Sequence, residues 1–123
     1  ELSCFAEDWP RWRWPNRDGI VVDESWTDRW PASGPPVVWR TNVGTGFSSI
    51  VVVGDCLYTA GKQDEMDSLY CLRTSDGSVV WQHRYPSPLD DRFFEGGPTA
   101  SPTLDQDRVF YLSRGGEVGC LDA

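Results

Sequence analysis

The chain is poor in the residues from which most metal and redox sites are built. It has one histidine and four cysteines in 123 residues. Cys4, Cys56, Cys71 and Cys120 form no C-x-x-C pair, which removes the usual zinc spacing. His83 has no acid or nucleophile at a readable spacing, so it reads as a packing or surface residue rather than a general base. There is no G-x-S-x-G, no H-E-x-x-H and no P-loop, and Gly44-Thr45-Gly46 is too short to cradle a phosphate. No apolar run reaches ~18 residues, so no helical membrane span is visible. Positive charge is scarce, 11 Lys and Arg against 19 Asp and Glu, a formal net charge of −8. Such a surface repels phosphate backbones, and a nucleic-acid partner is not expected.

Aromatic residues make up 13% of the chain, enough for a packed core. The most informative stretch is Leu69 to Trp81. Tyr70, Leu72, Val79 and Trp81 stand two apart within their runs, the period of a strand with one buried face. Ser75-Asp76-Gly77 between them is turn chemistry.

Upstream, residues 7–36 form an irregular arm rich in tryptophan and proline. Trp9, Trp12 and Trp14 alternate with arginines, and Pro10 and Pro15 exclude a regular helix. The arm reads as rings and guanidiniums packed over another part of the fold, with a carbohydrate or base-stacking platform as the alternative. Glu24 to Trp30 could form one helical turn capped by Ser25. Residues 1–6 read as the tail of a secretory signal.

From Val37 to Ala123 the chain is strand and turn. Val37–Arg40 reads as a short strand, Ser48–Val53 as a buried one, and Cys56–Ala60 as its return. Gly61–Asp67 reads as a polar loop, followed by strands Ser68–Arg73 and Ser78–Arg84. After a long loop, Tyr85 to Thr99, the pattern restarts. Ala100–Leu104, Val109–Leu112 and Gly119–Leu121 answer Ser48–Val52, Leu57–Thr59 and Tyr70–Leu72. Trp39 and Trp81 lie 42 residues apart (81 minus 39). A four-strand unit of about 40–50 residues closing on a tryptophan is the period of a propeller blade. The expected fold is all-β: a partial β-propeller with one complete four-stranded blade and most of a second. Cys56, Cys71 and Cys120 fall in strand-like runs and are expected as buried free thiols.

Leu72-Arg73-Thr74-Ser75-Asp76-Gly77-Ser78-Val79-Val80-Trp81 resembles the tryptophan-docking motif of quinoprotein-type, PQQ-like propellers, usually written L-D-A-x-T-G-x-x-x-W. Leu72, Gly77 and Trp81 agree, whereas Arg73 and Asp76 depart from its Asp and Thr. Leu121-Asp122-Ala123 matches its first letters. Asp8-Trp9-Pro10 and Pro15 to Gly19 are similar to the opening of exported bacterial PQQ-like repeat proteins, which usually carry glycine where Trp14 stands. Phe94 to Pro102 is similar to their blade-entering loop. The resemblance implies structural docking roles for Trp39, Gly77 and Trp81. It also implies a periplasmic or extracellular N-terminal fragment of a larger ring, whose remaining blades would be its first partner. Alone, such a piece is expected to aggregate.

The expected function is a non-catalytic binding scaffold, meeting a protein or small-molecule ligand on the loop face. The alternative is a fragment of a PQQ-dependent dehydrogenase of alcohols or sugars. Quinoproteins hold PQQ with a stacking tryptophan, a vicinal disulfide and acids around calcium. This chain has no adjacent cysteines, so PQQ and calcium are expected only with the full-length protein. Of the local candidates the long loop stands first, with Asp90, Asp91, Arg92 and Glu95. Its carboxylates could meet a hard cation, but no D-x-D-x-D-G spacing is present, and a solvated loop with Arg92 paired to an acid is the expected arrangement.

Overall fold

The computed structural model describes residues 8–14, 16–21, 27–90, 92 and 95–123. The signal-like residues 1–6 with Cys4, residues 24–26 of the turn expected at 24–30, and Asp91 lie outside the described residues. Thr27 to Trp30 are not helical.

The described chain is all-β. A four-stranded antiparallel sheet runs in the order β1 (Val51–Val53), β2 (Cys56–Gln63), β3 (Met66–Arg73), β4 (Val79–Pro86). A three-stranded antiparallel sheet follows, β5 (Thr103–Asp105), β6 (Arg108–Leu112), β7 (Val118–Asp122). Each sheet is an up-and-down meander, consistent with partial propeller blades, and the two do not close a ring. The repeat extends to backbone detail: Thr74 N donates to Asp55 O at 2.9 Å, and Ala123 N to Asp107 O at 2.9 Å.

Burial follows from which faces are covered. Across the first sheet Val51, Tyr58, Cys71 and Trp81 share a row, and Ala60, Leu69 and His83 the next. Val51, Tyr58, Ala60, Leu69 and Cys71 pack in one cluster with Leu104, Val109 and Tyr111 of the second sheet. The opposite face of the first sheet, with Leu57, Thr59 and Leu72, is overlaid by Trp39, Val43 and Ile50. The middle strand β3 is therefore buried on both faces, while β6 keeps strict alternation. Tyr111 lies flat over Gly119, where a Cβ would fall 2.0 Å from its ring.

Several expected boundaries move. Val37–Arg40 is not a strand; Val37 and Val38 are exposed and no described strand pairs with them. The run from Ser48 is strand only at Val51–Val53. Gly61–Asp67 is not a loop: β2 and β3 continue into a tight turn at Asp64 and Glu65, with Asp64 at φ 55. Lys62, the sole lysine of the chain, is the cross-strand partner of Asp67, with Nζ 3.1 Å from Oδ1. Both side chains are buried, and Lys62 Nζ also donates to the Ser87 carbonyl. A charge pair that reads as polar loop in sequence thus holds register inside the interface between the sheets.

The arm is bound by its backbone. Trp9 N donates to Val52 O at 2.6 Å, and Val52 N returns to Trp9 O at 2.9 Å. Leu104 N donates to Pro10 O at 2.8 Å, so the arm spans β1 and β5, the first strand of each sheet. Trp14, which stands where the resembling family has glycine, adopts φ 65. Its indole Nε1 donates to Asp8 O at 3.1 Å, and its ring lies 6.2 Å from that of Trp9.

All three described cysteines are free, but their surroundings differ. Cys71 is buried, Cys56 half-buried and Cys120 exposed, a correction to the expectation of three buried thiols. Cys120 pairs across the sheet with Phe110, on a face that no described residue covers. Burial, and next the neighbouring Cys56, push the Cys71 thiol up to about 12. Alkylation with iodoacetamide at about pH 8 should therefore modify Cys120 and spare Cys71 until the chain is denatured. Peptide mass mapping reads the outcome, and equal labelling of the two would contradict this packing.

Candidate functional site

Alternating strand direction brings the β2–β3 turn, the β4–β5 loop and the β6–β7 turn to one end of the sheets. Hydrogen bonds tie them together. Ser87 N donates to Glu65 O at 2.9 Å, and Leu89 N to Glu65 Oε2 at 3.3 Å. Arg114 Nη1 donates to the Asp90 carbonyl at 2.8 Å. Phe47 N donates to Pro98 O at 2.8 Å, which adds the segment before β1 to the same rim.

Between the second and third of these connections lies a pocket of about 680 Å³. Pro86, Pro88 and Leu89 form its apolar wall, and Asp90, Arg92, Arg114 and Glu117 its polar one. Asp90 is the hub. Arg92 Nε donates to Oδ1 at 2.9 Å and Arg92 Nη2 to Oδ2 at 2.7 Å. Arg114 Nη2 lies 3.2 Å from Oδ2. The Arg92 side chain, its backbone N–H, and the charges of both arginines hold the Asp90 carboxyl well below the usual carboxylate range.

Below the pocket the interface between the sheets turns polar. His83 Nε2 is hydrogen-bonded to Tyr111 Oη at 3.1 Å, and Tyr111 Oη donates to Glu117 Oε1 at 3.5 Å. Tyr85 stacks on Tyr111 with ring centroids 5.1 Å apart. Burial, then the charge of Asp67, push the Tyr85 hydroxyl up to about 12. His83 thus serves packing between sheets, with no nucleophile beside it among its described partners.

Of the residues singled out in the long loop, Asp90 and Arg92 line the pocket. Glu95 is exposed and does not line it, and Asp91 is outside the described residues. Arg114 was missed as a site residue. Its only sequence signal is a place beside Gly115-Gly116 in a turn on the same face. The fit to calcium is poor: both Asp90 oxygens are taken by guanidiniums, and no described group of three acids, histidines or cysteines converges. Nor are any two described cysteines adjacent, as the vicinal disulfide of a PQQ platform requires.

Trp39 and Trp81 stand in different surroundings. Trp39 Nε1 donates to the Thr74 carbonyl at 2.7 Å, and a Cβ at Gly77 would fall 2.4 Å from its ring. Trp81 is half-buried, 5.9 Å from Tyr58. The profile of the family described as outer membrane protein assembly factor BamB, a PQQ-like repeat, matches residues 31–123. The chain belongs to this PQQ-like repeat family. No curated protein and no solved structure gives a significant match. In this PQQ-like repeat chain the match begins after most of the arm, so Trp9 to Trp14 fall outside it.

Two outcomes follow from this geometry. Gly77→Ala meets both the Trp39 ring and a φ of 72, and should destabilise by about 1–3 kcal/mol in urea unfolding. Asp90 titrates below its unfolded value, so its bridge is present above the ordinary carboxylate range and is lost only as pH falls through the lowered value. Amide exchange at Ser113 and Glu117, whose amides are bonded within the turn that carries Arg114, should stay slow in the parent at about pH 4, near the ordinary carboxylate value, and rise in Asp90→Asn even at neutral pH.

Proposed function

We propose that the chain is a non-catalytic binding scaffold within a larger PQQ-like propeller of an exported bacterial protein, and that the rim pocket receives a segment of a protein partner. The observation that carries this reading is the Asp90–Arg92–Arg114 cluster, which fixes a polar wall opposite Pro86, Pro88 and Leu89. A wall of that kind suits a peptide, which offers carbonyls to guanidiniums and side chains to prolines. No group of three acids, histidines or cysteines converges there among the described residues. Ser113 Oγ accepts the Glu117 amide at 3.0 Å, which ties the two ends of the β6–β7 turn together. The family's printed description, an assembly factor, is of the same kind. The outer face of the second sheet, with Phe110, Leu112 and Val118 exposed, is suited to the next blade of the same protein. Docking roles for Trp39, Gly77 and Trp81 belong to this reading, and the Trp39 indole laid against Gly77 supports it.

Full-length protein incubated with PQQ and calcium is expected to show no dye-linked oxidation of alcohols or sugars. Turnover with a quinone absorbance would overturn the scaffold reading in favour of a dehydrogenase.

A further inference from the structure

Of the three tryptophans that alternate with arginines at the start of the arm, the fold accounts for two. Trp9 and Trp14 are half-buried and pack on one another. Trp12 remains 64% exposed on a backbone pinned to both sheets. Arg11, Trp12, Arg13, Arg17 and Thr103 line a hollow of about 350 Å³. The Arg13 guanidinium carbon lies 5.6 Å from the centre of the Trp12 ring.

The positive charge gathered there is not ion-paired among the described residues. Neighbouring acids are turned to backbone amides: Asp8 Oδ1 accepts Gly54 N at 2.8 Å, and Asp18 Oδ1 accepts Ile20 N at 2.9 Å. Arg13 reaches only the Asp18 carbonyl, at 2.9 Å. Arg11 Nε is buried with no hydrogen-bond partner. The backbone is strained as well, with Arg13, Trp14 and Arg17 at φ 64, 65 and 61. Strain of this kind persists where surrounding structure enforces it and clusters at ligand sites. On its other side Trp12 borders a second hollow of about 430 Å³, lined by Phe47, Ser49, Thr99 and Ser101.

An exposed indole offers a flat apolar face to the C–H side of a sugar ring, guanidiniums bind carboxylate or sulfate through paired N–H groups, and hydroxyls exchange hydrogen bonds with sugar hydroxyls. We propose that Trp12, Arg11, Arg13 and Arg17 form a binding site for an acidic saccharide, its ring on Trp12 and its anionic group among the guanidiniums. A nucleic-acid strand offers similar groups, but it needs a basic track, and the chain as a whole carries a net charge of −8. The site is separate from the rim pocket, so its success or failure leaves the scaffold reading untouched.

Isothermal titration of the full-length protein tests this with trigalacturonate, a sulfated galactose trisaccharide, the neutral galactose trisaccharide, inorganic sulfate and oligodeoxythymidylate. At least one acidic trisaccharide should bind about tenfold or more tightly than the neutral one, and the tighter of the two identifies the anion. Trp12→Ala and Arg17→Ala should each weaken that binding about tenfold with circular dichroism unchanged, since both side chains are exposed. Absence of binding, equal binding of the neutral sugar, inorganic sulfate matching the sugars, preference for the oligonucleotide, or full affinity in Trp12→Ala would overturn the assignment.

Discussion

The two sheets hold each other through one face apiece, and the remaining features take their positions from that contact. Val51, Tyr58, Leu69 and Cys71 meet Leu104, Val109 and Tyr111, each nearly removed from water. Each such side chain contributes roughly 1.5–3 kcal/mol on burial, which a single meander exposed on both faces could not collect. The contact also selects residues that propensity would not. Gly119 weakens a strand by itself, yet it is the one residue that lets the Tyr111 ring lie on β7.

This interface is graded along its length. Its apolar rows lie toward the β1–β2 turn, and the row nearest the loop rim is Lys62, Asp67 and Tyr85. A buried ion pair adds little net stability compared with apolar packing, but removing one member leaves a buried charge, so it constrains the pairing of β2 with β3. The same row anchors Ser87 through Lys62, and from Ser87 the chain passes into the loop that carries Asp90. The rim pocket is therefore suspended from the charged end of the interface. Arg92 meets Asp90 within one loop, whereas Arg114 comes from another connection and reaches the same carboxylate through the stacking of one sheet on the other.

The arm follows another logic. It adds backbone hydrogen bonds to β1 and β5 where an inner strand would otherwise show an open edge. Pro10 has no N–H to lose, and its carbonyl is the group that Leu104 uses. Trp14 holds a left-handed conformation that glycine would adopt freely, and its compensation is the Trp9 contact together with a hydrogen bond to Asp8.

Strands and turns were legible in the chain because their causes are local. Period-two runs such as Val109 to Leu112, and Asx chemistry such as Asp76 accepting from Ser78 N at 2.8 Å, operate within a few residues. The repeat was legible because equivalent positions keep equivalent chemistry, and so the fold class and family could be read before any coordinates. Contacts between distant segments were not legible. Lys62 beside Asp67 looks like a polar loop until the covering sheet excludes water from it. Asp90 looks like a cation ligand until Arg114, 24 residues away, arrives beside it. Composition cannot separate the half-buried Trp9 from the exposed Trp12, because burial depends on which backbone atoms dock, and tertiary packing alone decides that.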